Sequence, residues 1–272
     1  MQQDAASKEQ NGEKKSGPRS KRFLDRWAER AEKARGEQPH WMTPVAVTTP
    51  RLEQEFRYDI AWQQASNGVR VENYGFSKGL ELIPAEKMEI IVSPPPYLAR
   101  NQSNKPDGLG DLSFLLKYRL LSRDEENGSY ILTFFLGTTV PTGKSGIGQP
   151  NPVITPTVAM GKGWGQFDIQ STLGAALPTG HIQTLGRSVL WNTAFQYHLK
   201  EVLWPEVEVN STFFIDGPDT GKKQSIVTPG IVFGRFSIYR QLHFAVGLGY
   251  QIATTQFHTN NHNWILTLRF PF

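Results

Sequence analysis

The chain contains no cysteine. That excludes disulfides and thiol chemistry, and any zinc site would have to be built from histidines and carboxylates alone. No run of 18 apolar residues occurs, so no transmembrane helix is predicted. The first 40 residues lack the apolar core that a secretory signal requires, so no signal peptide is visible in this sequence. The GxGxxG and P-loop patterns of nucleotide sites are missing, as is the GxSxG elbow of serine hydrolases. Six histidines occur: His40, His181, His198, His243, His258 and His262. His258 and His262 have a four-residue spacing, but Thr259-Asn260-Asn261 between them reads as a loop, which argues against a metal pair. The sequence therefore predicts no enzyme, no cofactor and no metal.

The chain is instead rich in turn formers and aromatics: 25 Gly, 18 Pro, 7 Trp, 8 Tyr and 16 Phe. These favour strands and turns over helices. A mean hydropathy of −0.42 looks soluble. A membrane barrel has the same low mean, because its lipid-facing residues are hidden in alternation. The net charge of +4 is unevenly placed. Residues 1–40 hold 10 Lys/Arg against 7 Asp/Glu, and the remainder is near balance at 19 against 18. The basic excess belongs to the N-terminal extension, so no nucleic-acid partner is expected of the main domain.

Residues 1–19 have no periodicity and a polar composition expected of disorder. Residues 20–36 read as a short helix with Ser20 as N-cap and Gly36 as stop. Its apolar stripe of Phe23, Leu24, Trp27, Ala28, Ala31 and Ala34 is narrow. It could dock on a barrel, enter its lumen or touch a membrane; a weakly held, solvated helix is the expectation. Pro39, Pro44 and Pro50 mark a linker. The predicted organisation is a polar extension over 1–50 and one β domain over 51–272.

From residue 52 the chain repeats one theme, a strand-like run of about 10 residues followed by a turn. Twelve runs are predicted, near 52–64, 70–83, 86–97, 110–121, 129–140, 152–161, 164–178, 187–200, 205–215, 224–236, 241–254 and 262–272. Alternation is clear in several. Leu242, Phe244, Val246, Leu248, Tyr250 and Ile252 oppose His243, Gly247, Gly249 and Gln251. Leu52, Phe56, Tyr58, Ile60 and Trp62 oppose Glu53, Glu55, Arg57, Asp59 and Gln63. The third run, with Pro94-Pro95-Pro96, is poor. Connections after even-numbered runs are short. Those after odd-numbered runs are mostly longer and richer in Gly, Pro and Asn. An up-and-down barrel with short turns at one end and loops at the other has this asymmetry. Aromatics near run ends, namely Trp62, Tyr97, Tyr130, Trp164, Trp191, Trp204, Tyr250 and Trp264, suit interfacial girdles.

The final run has one apolar, aromatic parity: Trp264, Leu266, Leu268, Phe270 and Phe272. A terminal strand closing on an aromatic resembles the last strand of bacterial outer-membrane barrels, where that ending is an assembly signal. Gly108-Leu109-Gly110-Asp111-Leu112 opens the fourth run, Pro141-Thr142-Gly143-Lys144 closes the fifth and Pro178-Thr179-Gly180 closes the seventh. This ordered set, over roughly residues 52–272, resembles the outer-membrane barrels of the MetA-pathway of phenol degradation family. The resemblance implies an outer-membrane channel or transporter of Gram-negative bacteria. On physical grounds both Pro-Thr-Gly stretches read as strand exits rather than ligand contacts.

The expected fold is thus an all-β, up-and-down antiparallel transmembrane barrel of about 12 strands. Its expected function is porin-like passage of small solutes, aromatic or hydrophobic ones included, by diffusion. The alternatives are a structural or interaction barrel with a blocked lumen and a soluble, lipocalin-like binding protein. Expected partners are outer-membrane lipid, the barrel-assembly machinery through the C-terminal strand, and a small-molecule solute. The polar parity nominates a pore lining of Glu53, Glu55, Arg57, Asp59, Lys117, Arg119, Asp168, His198, Glu206, Glu208, His243 and Arg269. Both signs of charge occur there, so the same side chains could pair and close the bore.

Overall fold

A computed structural model describes residues 23–272 except Ser77, 103–105 and Glu201. The expected disorder of 1–19 and the Ser20 cap lie outside the described residues, as do the side chains of Phe23 and Leu24. Helix α1 (Phe23–Gly36) precedes fifteen strand segments: β1 (Glu55–Ala65), β2 (Arg70–Tyr74), β3 (Leu80–Ala85), β4 (Met88–Ser93), β5 (Tyr97–Arg100), β6 (Gly108–Leu109), β7 (Leu112–Arg123), β8 (Tyr130–Val140), β9 (Val153–Trp164), β10 (Phe167–Pro178), β11 (Ser188–Tyr197), β12 (Leu203–Phe214), β13 (Lys223–Tyr239), β14 (Leu242–Ala253) and β15 (Asn260–Pro271). A one-turn helix, α2 (Ile182–Leu185), lies between β10 and β11.

All pairings are antiparallel, and β15 pairs with β1, which closes the sheet. Three staves of the barrel are each made of two segments. β2 and β3 both pair with β1, and an excursion at 75–79 separates them. At its start the amides of Gly75 and Phe76 both donate to the carbonyl of Asp59, the two-against-one pattern of a bulge. β4 and β5 flank Pro94-Pro95-Pro96, which cannot donate to a ladder, so the third run continues through a break. β6 pairs with β5, and β7 with β4. The result is a closed barrel of twelve staves that match the twelve predicted runs in order.

The period-two pattern fixes which way each side chain points. In β1, Glu55, Arg57, Asp59 and Ala61 are buried in the interior, while Phe56, Tyr58 and Trp62 are exposed on the outside. Leu173 and Trp191, directly paired across β10 and β11, are 55% and 54% exposed. Leu242, Phe244, Val246, Leu248 and Ile252 point outward, as their parity predicts. Two readings need correction. Leu52 precedes the first strand and is fully buried inside, because the ladder begins only at Glu55. Trp204 belongs to the inward parity of β12 and is buried, so it is no part of an outer girdle.

Short turns gather at one end of the barrel, where α1 also lies; this is the helix end. Longer connections gather at the other, the loop end. There the two recognised motifs meet. The Asp111 carboxylate accepts the amides of Gly143 (2.8 Å) and Gln149 (2.7 Å), and the Leu112 amide donates to the Thr142 hydroxyl. Gly-Leu-Gly-Asp-Leu and the first Pro-Thr-Gly form one strand-exit unit, which is the architectural role their composition suggests.

Candidate functional site

The interior holds part of the chain itself. Residues 37–54 leave α1, enter the lumen at the helix end and return to begin β1. The two limbs pair through side chains: Gln38 donates to the carbonyl of Leu52 (2.8 Å) and accepts its amide (2.9 Å), and Thr43 donates to Glu53 (3.3 Å). Trp41, Met42, Val45, Val47 and Leu52 are buried along the path. Among the described residues this segment adds no strand to the barrel.

A backbone buried without a ladder must find other partners. The barrel wall supplies them from its inward charges. Glu206 accepts the amide of Val45 (2.8 Å), and Glu208 accepts those of Ala46 (2.7 Å) and Val47. Arg57 donates to the carbonyls of Pro44 (3.2 Å) and Val45, and Arg269 to those of Thr43 and Pro44 (2.8 Å). Arg235 donates to the carbonyls of His40 (3.0 Å) and Trp41 (2.7 Å). Lys117 donates to the carbonyl of Arg51 (3.0 Å) and pairs with Glu89 (2.9 Å), which in turn accepts the amide of Glu53. Hydrogen bonds with one ionised partner are stronger than neutral ones, each worth about 1.5–3 kcal/mol net.

Apolar contacts fit the segment to the wall as closely. Trp41 lies against Gly161 and Gly163 of β9, and Val45 against Gly247 and Gly249 of β14. Met42, Val45, Ala61, Trp204, Val232 and Ile265 form one buried cluster. A second, Ala31, Ala34, Leu52 and Ile83, seats α1 on the helix end. The helix is held there by Trp27 to Gln54 (2.8 Å), Lys33 to Glu86 (2.9 Å) and Arg119, which donates to the carbonyl of Ala34 and to Glu37 (2.9 Å). The expected solvated helix is thus a docked one. At the rim, His40 hydrogen-bonds Glu125 through its ring and its amide. Burial pushes the Glu125 carboxyl up, but the His40 bonds outweigh it and bring the group down to about 2.

The nominated residues therefore belong to a filled lumen, with Glu53 on the filling segment rather than on the wall because the first strand begins only at Glu55. Arg57, Lys117, Arg119, Glu206, Glu208 and Arg269 bind the segment or the helix directly. Glu53 lies on the segment, paired with Arg51 (3.1 Å). Asp59 pairs with Arg57 (2.8 Å), and Asp168 is bonded by Gln170, which also donates to the carbonyl of Met42. Glu55 and His243 line a cavity of about 330 Å³ at the helix end, beside Arg35, Arg51 and Arg235. His198 stacks on Trp204 at 4.5 Å. Sequence parity missed Gln170, Gln196, Glu89 and Arg235 as members of this network, although Gln170 carries the inward parity of its run.

The loop-side half of the lumen is different. Its inward strand positions carry the uncharged Ser93, Ser113, Thr139, Thr155, Thr157, Thr172, Asn192 and Asn210, and Lys78 is the charged side chain beside them. The outside is an apolar belt of aromatics and aliphatics. A soluble lipocalin-like binder would place apolar residues inside and polar ones outside. This barrel has the opposite polarity, which a bilayer requires.

No family model matches the chain, and no curated protein matches it. Solved structures do. An outer-membrane channel from Pseudomonas putida F1 superposes with a TM-score of 0.50 at 15% identity, covering 79% of this chain and 92% of that one. The NanC porin superposes with a TM-score of 0.53 at 8% identity, covering 79% and 98%. The chain shares the closed antiparallel barrel of these outer-membrane proteins.

Proposed function

We propose that this chain is an outer-membrane channel of the Gram-negative type, closed at rest by its own residues 37–54. When that segment withdraws, the lumen passes small solutes by diffusion, hydrophobic and aromatic ones included. The helix end faces the periplasm and the loop end the exterior. The observation that carries this reading is the attachment of the segment. It is held by side-chain bonds and glycine notches, without strand pairing, so it can leave while the barrel ladder stays whole. The nominated charges of the wall, Glu53 excepted because it leaves with the segment, would then face water and line the passage. Membership of the MetA-pathway of phenol degradation family belongs to the same reading, supported by the Gly-Leu-Gly-Asp-Leu and Pro-Thr-Gly unit. So does recognition of the last strand, with its outward Phe270, by the barrel-assembly machinery.

A second reading, a barrel with a permanently filled lumen, is favoured by the depth at which Trp41 is buried. Planar-bilayer recording separates the two. The full chain is compared with one lacking residues 1–50, exported by an added signal sequence and checked for heat-modifiable migration. Rare or small openings in the full chain and steady conductance in the shortened barrel support the channel. A folded, shortened barrel that conducts nothing overturns it.

A further inference from the structure

On the loop side of the segment's tip, two cavities of about 180 Å³ each share Thr48, Leu115 and Thr155 in their walls. One of them contains Lys78, which is 5% exposed. Lys78 comes from the excursion at 75–79. Gly79 packs hard against β4: a Cβ there would collide with the carbonyl oxygen of Val92 and lie 2.5 Å from Cδ of the following Pro94, so only glycine allows the approach. Among the described residues, the Lys78 ammonium has no hydrogen-bond partner. It forms an ion pair with the buried Glu81 at 3.9 Å, a separation too long for a hydrogen bond. Arg57, Lys117 and Arg269, by contrast, all donate to the lumenal segment.

The surroundings of Lys78 are built from hydroxyls. Ser93 is paired with Ser113, and Ser113 with Thr139, so the three lie in one row across adjacent staves. Thr48 and Thr155 face them across the cavity. Leu115 adds an apolar wall, which continues into the second cavity along Phe135 and Leu190. The Glu81 ion pair offsets the charge of Lys78 but leaves its N–H donors without an acceptor, which is costly, and an incoming carboxylate oxygen would supply one.

We propose that this is a binding site for a small organic monocarboxylate with an apolar body. The carboxylate accepts from Lys78 and the hydroxyl row, and the apolar body lies along Leu115 toward Phe135. This deepens the channel reading by giving the passage a preferred class of solute, and it rests on that reading for its physiological meaning.

The test is a calorimetric titration of the full chain in detergent with benzoate, and with benzyl alcohol as the uncharged comparison. Saturable benzoate binding is expected, with benzyl alcohol much weaker. Lys78→Gln should weaken benzoate by about tenfold or more and leave benzyl alcohol unchanged. Absence of saturable benzoate binding, equal binding of the two compounds, or full benzoate affinity in Lys78→Gln each overturns the proposal. If Lys78→Gln lacks heat-modifiable migration, Ser113→Ala and Thr139→Val replace it. Both keep the lysine and should each weaken benzoate by roughly threefold, and unchanged affinity in both overturns the proposal. The readout is heat of binding, not conduction. A barrel that binds benzoate without conducting fails only the channel reading, and one that conducts without binding fails only this site.

Discussion

The indole of Trp41 occupies the space beside Gly163: a Cβ on that glycine would lie 2.7 Å from Trp41 Nε1. The neighbouring inward position, Gly161, is blocked by the same ring. Two glycines at successive inward positions of one strand cost packing and entropy, and here that cost is offset by the indole they admit.

The first prediction follows from this pair. Gly163→Val should force Trp41 out of its notch, and Trp41→Ala should empty it. Loss of a buried indole costs about 3–5 kcal/mol, enough to shift the docked-to-undocked ratio by two orders of magnitude or more. Both variants should still migrate as folded barrels yet show more frequent openings in bilayer recordings. Wild-type behaviour in both would mean that Trp41 is not what keeps the segment in place.

The second concerns the carboxylates that hold the tip. Glu208 accepts two consecutive amides, from Ala46 and Val47. Glu208→Ala leaves both without acceptors, at about 1–3 kcal/mol each. Glu208→Gln keeps one acceptor and should fall between wild type and alanine. Hydrogen exchange at residues 45–47 reports this directly, and the expected order of rates is Ala, then Gln, then wild type. Indistinguishable exchange in the three proteins would remove Glu208 from the clamp.

The third separates the two faces of β14. Val246 points outward, and arginine there should cost about 2–4 kcal/mol in lipid-refolding titrations if it lies near the bilayer midplane. Gly247 points inward against Val45 and Thr267. Arginine at 247 cannot simply project into an open bore; it must displace the segment. It should therefore raise conductance and protease sensitivity near residue 45. Equal refolding penalties and equal conductance at the two positions would contradict the assigned parity.

The fourth is a pH effect at the rim. The Glu125 carboxyl is lowered from its ordinary 4.5 to about 2 by bonds from His40. A depressed carboxyl stabilises the folded arrangement above its unfolded value and loses that contribution as pH falls toward its folded value. The anchoring should thus be complete above pH 4.5 and fade toward pH 2. Both side chains are roughly half exposed, so screening holds the effect to about 1 kcal/mol or less. Proteolysis or exchange around 37–41 should rise over that window in wild type. His40→Ala should lack the rise, and an identical profile in the variant would assign the acid step elsewhere.

The barrel was legible because its rule is local. Leu242 to Ile252 alternate with His243 to Gln251, and that alternation alone tells inside from outside. The same rule could place Glu206, Glu208, Arg57 and Arg269 in the interior but could not say what occupies it. Trp41, Met42, Val45, Val47 and Leu52 follow no period, and Pro39, Pro44 and Pro50 among them look like a linker. Five large apolar residues in so short a stretch were nonetheless more than a solvated linker needs, and that was the available signal. Gly161, Gly163, Gly247 and Gly249 read as ordinary strand glycines until the residues opposite them are known. The match between notch and side chain is a property of the three-dimensional fold.

Residues 37–54 go in and come out through the same mouth of the barrel. A hairpin of this kind is topologically unlinked from the wall around it. The seam between β1 and β15 can therefore close first and receive the segment afterwards, with no chain end passed through a ring. The move can also be reversed without cutting or unzipping anything. Filling and emptying are then late, independent events, set apart from the making of the barrel itself.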